Sequence, residues 1–528
     1  MALLESLSTV KSIVLISDIP DAEQIALSLF TTFFDVAKPE GQKQIEYHMT
    51  DILTLFIDEC NNLPTEVVDI IIAQFLRNVP KESLNPKKGR SEKVDDKQTR
   101  LISAVPPPAY NMAKNICNTC VDKMSRHICQ YFSEVIMDSA PAARKPKRAT
   151  ASGEDEEEEK VPEPSREDLQ DLHKAHILAK ELWKACPNVL QNVIPLLEQE
   201  LMAENSELRE LSTETIGEMV LTGNFAQQAP ATWKVWMGRV NDKSPVVRAK
   251  WVEAAVKILK HRSDHVAVQL VDLIAIKLND LDERVRLAAC QSLKNLDYQS
   301  ITTKLAADQS PFNTYDSAAN NANTGRKGKS GDDTKNWGKR ILQTLAERVR
   351  DKKIHVRLEG MRCLAKMWDM AYKDLCSGNE VVFAQLGWIP SKILDTFYIN
   401  DPEVNVLLDH VLHEILIPVN YPPIEKERFA ADRDADKEKG KEKEKANGAK
   451  SKGKDKDSAA AEKEREKELL EGDKIRVQRL LVLVKGLDTK AKRALFAVPL
   501  RQISYAKVME VFLKACEEYN VRKPLPSP

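Results

Sequence analysis

Cys117 and Cys120, with His127 and Cys129 close behind, are the residues that come nearest to a metal site in this chain. A structural zinc site needs four thiolates or imidazoles converging on one point. The apolar periodicity of residues 109–137 predicts a single long helix, which cannot curl around an ion. The cysteines are therefore expected to act as small buried hydrophobes, with no metal. His173 and His176, and His410 and His413, share helix faces at i, i+3. No Glu-x-x-His set accompanies them, so they read as packing or surface residues. No GxGxxG or GxxxxGK[ST] loop is present to cradle a phosphate, and no G-x-S-x-G elbow to present a serine. The expectation is a protein that is not an enzyme and needs no cofactor.

Charge offers more than catalysis does. Lys243, Lys250, Lys257 and Lys260 recur at spacings of 7, 7 and 3, which places them along one helical face. Such a face is a candidate for receiving an acidic peptide. Trp233, Trp236 and Trp251 lie among these lysines. Aromatic and basic residues together could bind nucleic acid or an acidic segment, but burial between helices is the preferred reading for the tryptophans. The run Arg144-Lys145-Pro146-Lys147-Arg148 reads as a nuclear localisation signal.

The elements that would position these residues follow from a repeat. RVNDKSPVVRAKWVEAAVKIL (239–259), KLNDLDERVRLAACQSLKNL (277–296) and RVRDKKIHVRLEGMRCLAKMW (348–368) each carry an Asp. Val-Arg follows five and six positions on, then an apolar helix. The aspartates are Asp242, Asp280 and Asp351; the arginines are Arg248, Arg286 and Arg357. A weaker copy precedes them at Leu208-Arg209 and another follows at Asp401. The first interval is 38 residues, the length of a HEAT repeat. In this reading the Asp caps the second helix of each pair, and the Arg reaches an Asp of the neighbouring repeat. Arg286→Ala is then expected to cost about 1 kcal/mol.

Composition agrees with an all-α, HEAT-repeat (armadillo-like) solenoid carrying disordered charged insertions. Leu/Ile/Val/Ala segments recur, Gly is scarce at 18 copies, and 79 basic residues nearly cancel 80 acidic ones, so bulk charge does not select a polyanion. Helical repeats are expected at 1–137 and 166–420, and C-terminal helices at 469–520. The basic-then-acidic stretch 138–165, an Asn/Ser/Gly-rich insertion at 308–335 and the Lys/Glu linker 432–468 cannot form a core. Nine scattered cysteines suit a reducing compartment. No apolar run reaches the roughly 20 residues of a membrane span, so no membrane partner is expected.

Two stretches resemble a known family. LLESLSTVKSIVLISDIPDAEQIALSLFTTFFDV with HMTDILTLFIDECNNLPTEVVDIIIAQFL looks like the front part of the cohesin-associated Pds proteins, named for precocious dissociation of sister chromatids. ATWKVWMGRVNDKSPVVRAKWVEAAVKIL through KKIHVRLEGMRCLAKMW resembles their central HEAT array in the same order. The likeness covers roughly residues 3–420. It implies a hook-shaped, non-enzymatic scaffold in the nucleus that binds the kleisin subunit of cohesin. The resemblance also implies recruitment of a Wapl-type release factor and the cohesion acetyltransferase, with chromatin reached indirectly. Family members begin further upstream, with an Ala-Pro-Asp docking motif, and run on for more repeats. Either the chain is part of a longer protein, or some of the family's partner docking has been lost. An inositol polyphosphate pocket known in vertebrate members cannot be matched residue by residue. A HEAT adaptor of another kind, such as a nuclear transport or phosphatase scaffold, and a direct DNA binder are the competing readings.

Overall fold

The computed structural model describes residues 21–36, 43–59, 63–77, 79, 108–139, 166–305, 337–418 and 472–522. The basic run 144–148 and the insertions at 308–335 and 432–468 lie outside them, as does 138–165 apart from its first two residues. Every regular element among the described residues is helical. They form two compact units, 1–258 and 259–528, which divide inside the helix Pro245–His261.

In the first unit, the helices Ala22–Val36, Lys43–Glu59 and Thr65–Leu76 bury Phe30, Leu53, Phe56, Ile71 and Phe75. In the first helix Ala26, Phe30 and Phe34 are buried, and Ile25 is exposed. The long helix expected over 109–137 is instead two, Pro108–Thr119 and Val121–Ser139, broken at Cys120. The break gives the thiols separate surroundings. Cys117 is fully buried, Cys120 lies 3.6 Å from the Thr54 carbonyl, and Cys129 lies 3.5 Å from that of Asn192.

Helix pairs then repeat: Ile194–Leu201 with Ser206–Thr222, and Pro230–Gly238 with Pro245–His261. The tryptophans are their core. Trp236 and Trp251 are fully buried, with ring centroids 5.3 Å apart, and Trp233 stacks on Trp236 at 5.0 Å. Each buried indole N–H keeps a partner, as burial requires. Trp236 Nε1 donates to Thr213 O at 2.8 Å and Trp251 Nε1 to Trp236 O at 3.1 Å. Gly217 sets the distance between Ser206–Thr222 and Pro245–His261. A Cβ there would stand 2.7 Å from the Ala254 Cβ, closer than side-chain carbons approach.

In the second unit the pairs are His265–Lys277 with Glu283–Leu293, Trp337–Arg348 with Ile354–Cys376, and Ile389–Leu394 with Pro402–Val411. A helix at 472–485 follows, then Thr489–Arg522. The sequence pattern suggests that the last helical segment begins at Ser504. The structure instead has one 34-residue helix, with Pro499 inside it. Proline removes one backbone donor from a helix. On this helix Ala491, Ala494 and Val498 are buried, whereas Val508, Phe512 and Tyr519 are exposed.

Candidate partner-binding face and its charge ladder

Each repeat arginine enters at the first turn of the second helix of its pair and folds back over the preceding turn. Its Nη1 donates to carbonyls six and five residues earlier. Arg209 reaches Ala203 O and Glu204 O at 2.7 and 2.8 Å. Arg248 reaches Asp242 O and Lys243 O at 2.8 and 3.4 Å. Arg286 and Arg357 repeat the contact on Asp280–Leu281 and Asp351–Lys352. In Arg209 and Arg286 the rest of the guanidinium faces the next repeat. Arg209 makes a paired contact with Asp242 at 2.9 and 3.0 Å, and Arg286 with Asp351 at 2.8 and 2.9 Å.

The aspartates are not helix caps. Asp280 accepts the amide of Asp282, and Asp282 is the residue that caps Glu283–Leu293. Asp242 and Asp351 likewise accept from Ser244 N and Lys353 N, two residues on. Each forms an Asx turn, and those of Asp242 and Asp351 aim the carboxylate back across the repeat boundary. A third partner is a cation three residues earlier: Arg239 at 3.1 Å, Lys277 at 3.0 Å and Arg348 at 2.9 Å. That cation is legible in RVND, KLND and RVRD, yet the Asp–Val–Arg spacing alone does not single it out.

Asp401 does not extend the series. It sits two residues late and caps Pro402–Val411, accepting from Glu403 N at 2.9 Å. Arg357 is left with Glu403 at 4.0 Å.

Burial raises the pKa of Asp242 and Asp351. The bonds from Arg209 and Arg286, the turn amides and the nearby Arg239 and Arg348 charges outweigh that effect and hold both carboxyls low. Unfolded aspartates titrate near 4. The stabilisation is therefore complete above that value and is lost as pH falls through the lower folded values. Acid unfolding followed by circular dichroism is expected to begin below about pH 4, with a shallower acid limb in Asp351→Asn.

The four candidate lysines do not form one open basic face. Lys243 lies in the turn before the helix, while Lys250, Lys257 and Lys260 lie on Pro245–His261. Lys250 is half-buried among carboxylates, 3.3 Å from Glu253, 3.5 Å from Glu214 and 3.8 Å from Glu210. Lys257 bonds Glu218 at 2.9 Å. Glu210, Glu214 and Glu218 line one face of Ser206–Thr222 at helical spacing, so this seam is locally neutralised. Lys180 of Arg166–Ala185 joins it at 3.2 Å from Glu214. Burial works against the Glu214 carboxylate, but Lys180 and Lys250 overcome it and lower its pKa to about 2. Lys243 and Lys260 remain exposed. The sequence-predicted surface thus separates into Lys243 and Lys260, which are exposed, and an ion-pair seam that engages the half-buried Lys250 and the exposed Lys257.

The family described as "Sister chromatid cohesion protein PDS5 protein" matches residues 1–525. The chain belongs to the PDS5 family. The sister chromatid cohesion protein pds5 of Schizosaccharomyces pombe is 26% identical over 527 residues, 98% of this chain and 34% of the relative. PDS5 of Saccharomyces cerevisiae is 24% identical over 421 residues, covering 79% of this chain and 28% of that protein. Human PDS5 homolog A is 23% identical over 435 residues, 80% and 26% of the two chains. The chain therefore spans about a third of the length of the fission-yeast relative. A solved structure titled "Structure of the Pds5-Scc1 complex and implications for cohesin function" shares the fold. Its TM-score is 0.58 at 22% identity, with 95% of this chain and 59% of that chain covered. The helix pairs carrying the PDS5 ladder are thus units of a HEAT-like solenoid.

Proposed function

We propose that this chain is a non-enzymatic scaffold that binds the kleisin subunit of cohesin in the nucleus and regulates sister-chromatid cohesion and cohesin release. The observation that carries this reading is the PDS5 match over 1–525, joined to a shared fold with a relative solved in a Pds5–Scc1 complex. A Wapl-type release factor and the cohesion acetyltransferase are proposed as further partners of the intact protein, with chromatin reached indirectly through cohesin. The described helices support a binding role in physical terms. Their arginines and aspartates are spent on holding neighbouring repeats in register, which leaves a stiff surface able to present fixed side chains to an extended peptide.

Of the candidate lysines, Lys243 and Lys260 are the ones proposed to meet an acidic kleisin segment, because Lys250 and Lys257 are engaged by glutamates. Exposed charge contributes mainly association rate and specificity. In a pull-down of a kleisin central fragment, wild type is expected to bind and Lys243→Glu/Lys260→Glu to bind about tenfold more weakly, with an unchanged melting temperature. Equal binding by the folded double variant would remove these two lysines from the interface. No binding by wild type would remove kleisin recognition from the part of the family that this chain represents.

A further inference from the structure

Arg479, on the helix at 472–485, is only 1% exposed despite its charge. Its guanidinium lies over two aromatic rings of Ile354–Cys376, 4.9 Å from the Trp368 centroid and 4.8 Å from that of Tyr372. Its edge meets three acceptors. Nε donates to Leu416 O at 2.8 Å, and Nη2 donates to Ile415 O at 2.8 Å and to Asp369 Oδ1 at 2.5 Å. Two aromatic faces, one carboxylate and two helix-end carbonyls form a site matched to a planar, weakly hydrated cation. An ammonium is compact and strongly hydrated, and it cannot cover both rings while reaching all three acceptors.

We propose that Trp368, Asp369 and Tyr372, with the carbonyls of Ile415 and Leu416, constitute a guanidinium-binding site, and that the chain fills it with its own Arg479. The ligand class is an arginine side chain. The site belongs to the repeats, and Arg479 is the ligand that the following segment delivers. Residues 472–522 are accordingly a strap, and Arg479 is the side chain that latches its first helix to these acceptors, beside the Arg501–Asp409 pair further along. The Asp369 side chain is 41% exposed, which gives a free guanidinium a route in from solvent once Arg479 is shortened. On the strap, Arg476 contacts Asp473 and Arg501 contacts Asp409.

The test is chemical rescue of the full chain. Arg479→Ala is melted with and without millimolar methylguanidinium chloride, beside methylammonium chloride at the same concentration. At ten times its Kd a ligand of the folded state raises the folding equilibrium constant about tenfold. Methylguanidinium is expected to raise the Tm of Arg479→Ala by about 2–4 °C and to leave wild type and Arg479→Met unmoved. Methylammonium is expected to have no effect. Adding Asp369→Asn to Arg479→Ala is expected to abolish the rescue. Equal shifts with the two cations, an equal shift in wild type, or no shift would each overturn the proposal. If Arg479→Ala folds only when refolded from urea with methylguanidinium, that dependence is itself the rescue. Refolding that fails equally in both conditions overturns the proposal.

Discussion

Asp351→Ala is expected to destabilise the unit 259–528 by about 3–5 kcal/mol, the cost of breaking a buried ion pair from one side. The Asp351 side chain is 2% exposed and receives Arg286, Arg348 and the Lys353 amide. Removing it leaves two guanidinium groups, 11% and 14% exposed, without their shared carboxylate. Urea unfolding gives the loss directly, and the comparison that makes it informative is Glu403→Ala. Glu403 is 67% exposed and 4.0 Å from Arg357, so its removal is expected to change stability by less than about 0.5 kcal/mol. Similar losses in the two variants would refute the distinction between a closed rung and an open one. Arg286→Ala should cost less than Asp351→Ala but more than the ~1 kcal/mol of a single contact, because the buried Asp351 carboxylate loses a paired bond while keeping Arg348 and the Lys353 amide.

Val285→Asp is expected to unfold the repeat around it. Val285 is fully buried at the start of Glu283–Leu293, directly before Arg286. A carboxylate there is desolvated inside the packing of the helix against Ile354–Cys376. The transfer penalty is several kcal/mol, comparable with the total stability of many domains. Repeats stabilise one another through shared interfaces, so the loss should spread to neighbours. Hydrogen exchange is the decisive measurement. Residues 265–293 should lose protection first, followed by 337–376, with Ser206–Thr222 affected least. Wild-type protection throughout would show that the repeat is aligned wrongly.

The helix pairs and the Asp–Val–Arg motif are legible in the sequence because they repeat, and a repeat exposes which positions are constrained. Its finer chemistry is legible only in part. The spacing does not distinguish an aspartate that caps its helix from one that turns two residues earlier, so Asp401 and Asp280 look alike until their backbones are seen. The lysines on Pro245–His261 show correct helical spacing. Their neutralisation, however, depends on Glu210, Glu214 and Glu218 of a different helix, and sequence spacing carries no information about which helix lies opposite. The Arg479 site is less legible still. Trp368, Leu416 and Arg479 come from three separated segments, and nothing local to Arg479 marks it as buried. The continuation of Thr489–Arg522 past Pro499 also runs against local propensity.

The rung missing at Arg357 has a consequence for how the second unit is held together. Where the ladder stops, Arg479 bonds both Asp369 of Ile354–Cys376 and the carbonyls that follow Pro402–Val411. The joint between these neighbouring helices thus borrows a cross-link from a segment that lies beyond the Lys/Glu stretch 432–468. While the chain is continuous, the strap acts at an effective concentration set by that tether, and dilution cannot remove it. A single cut in 432–468 would break none of the contacts and would still change their nature. The strap would become a separate ligand, and the integrity of the joint would then depend on how much protein is in the tube.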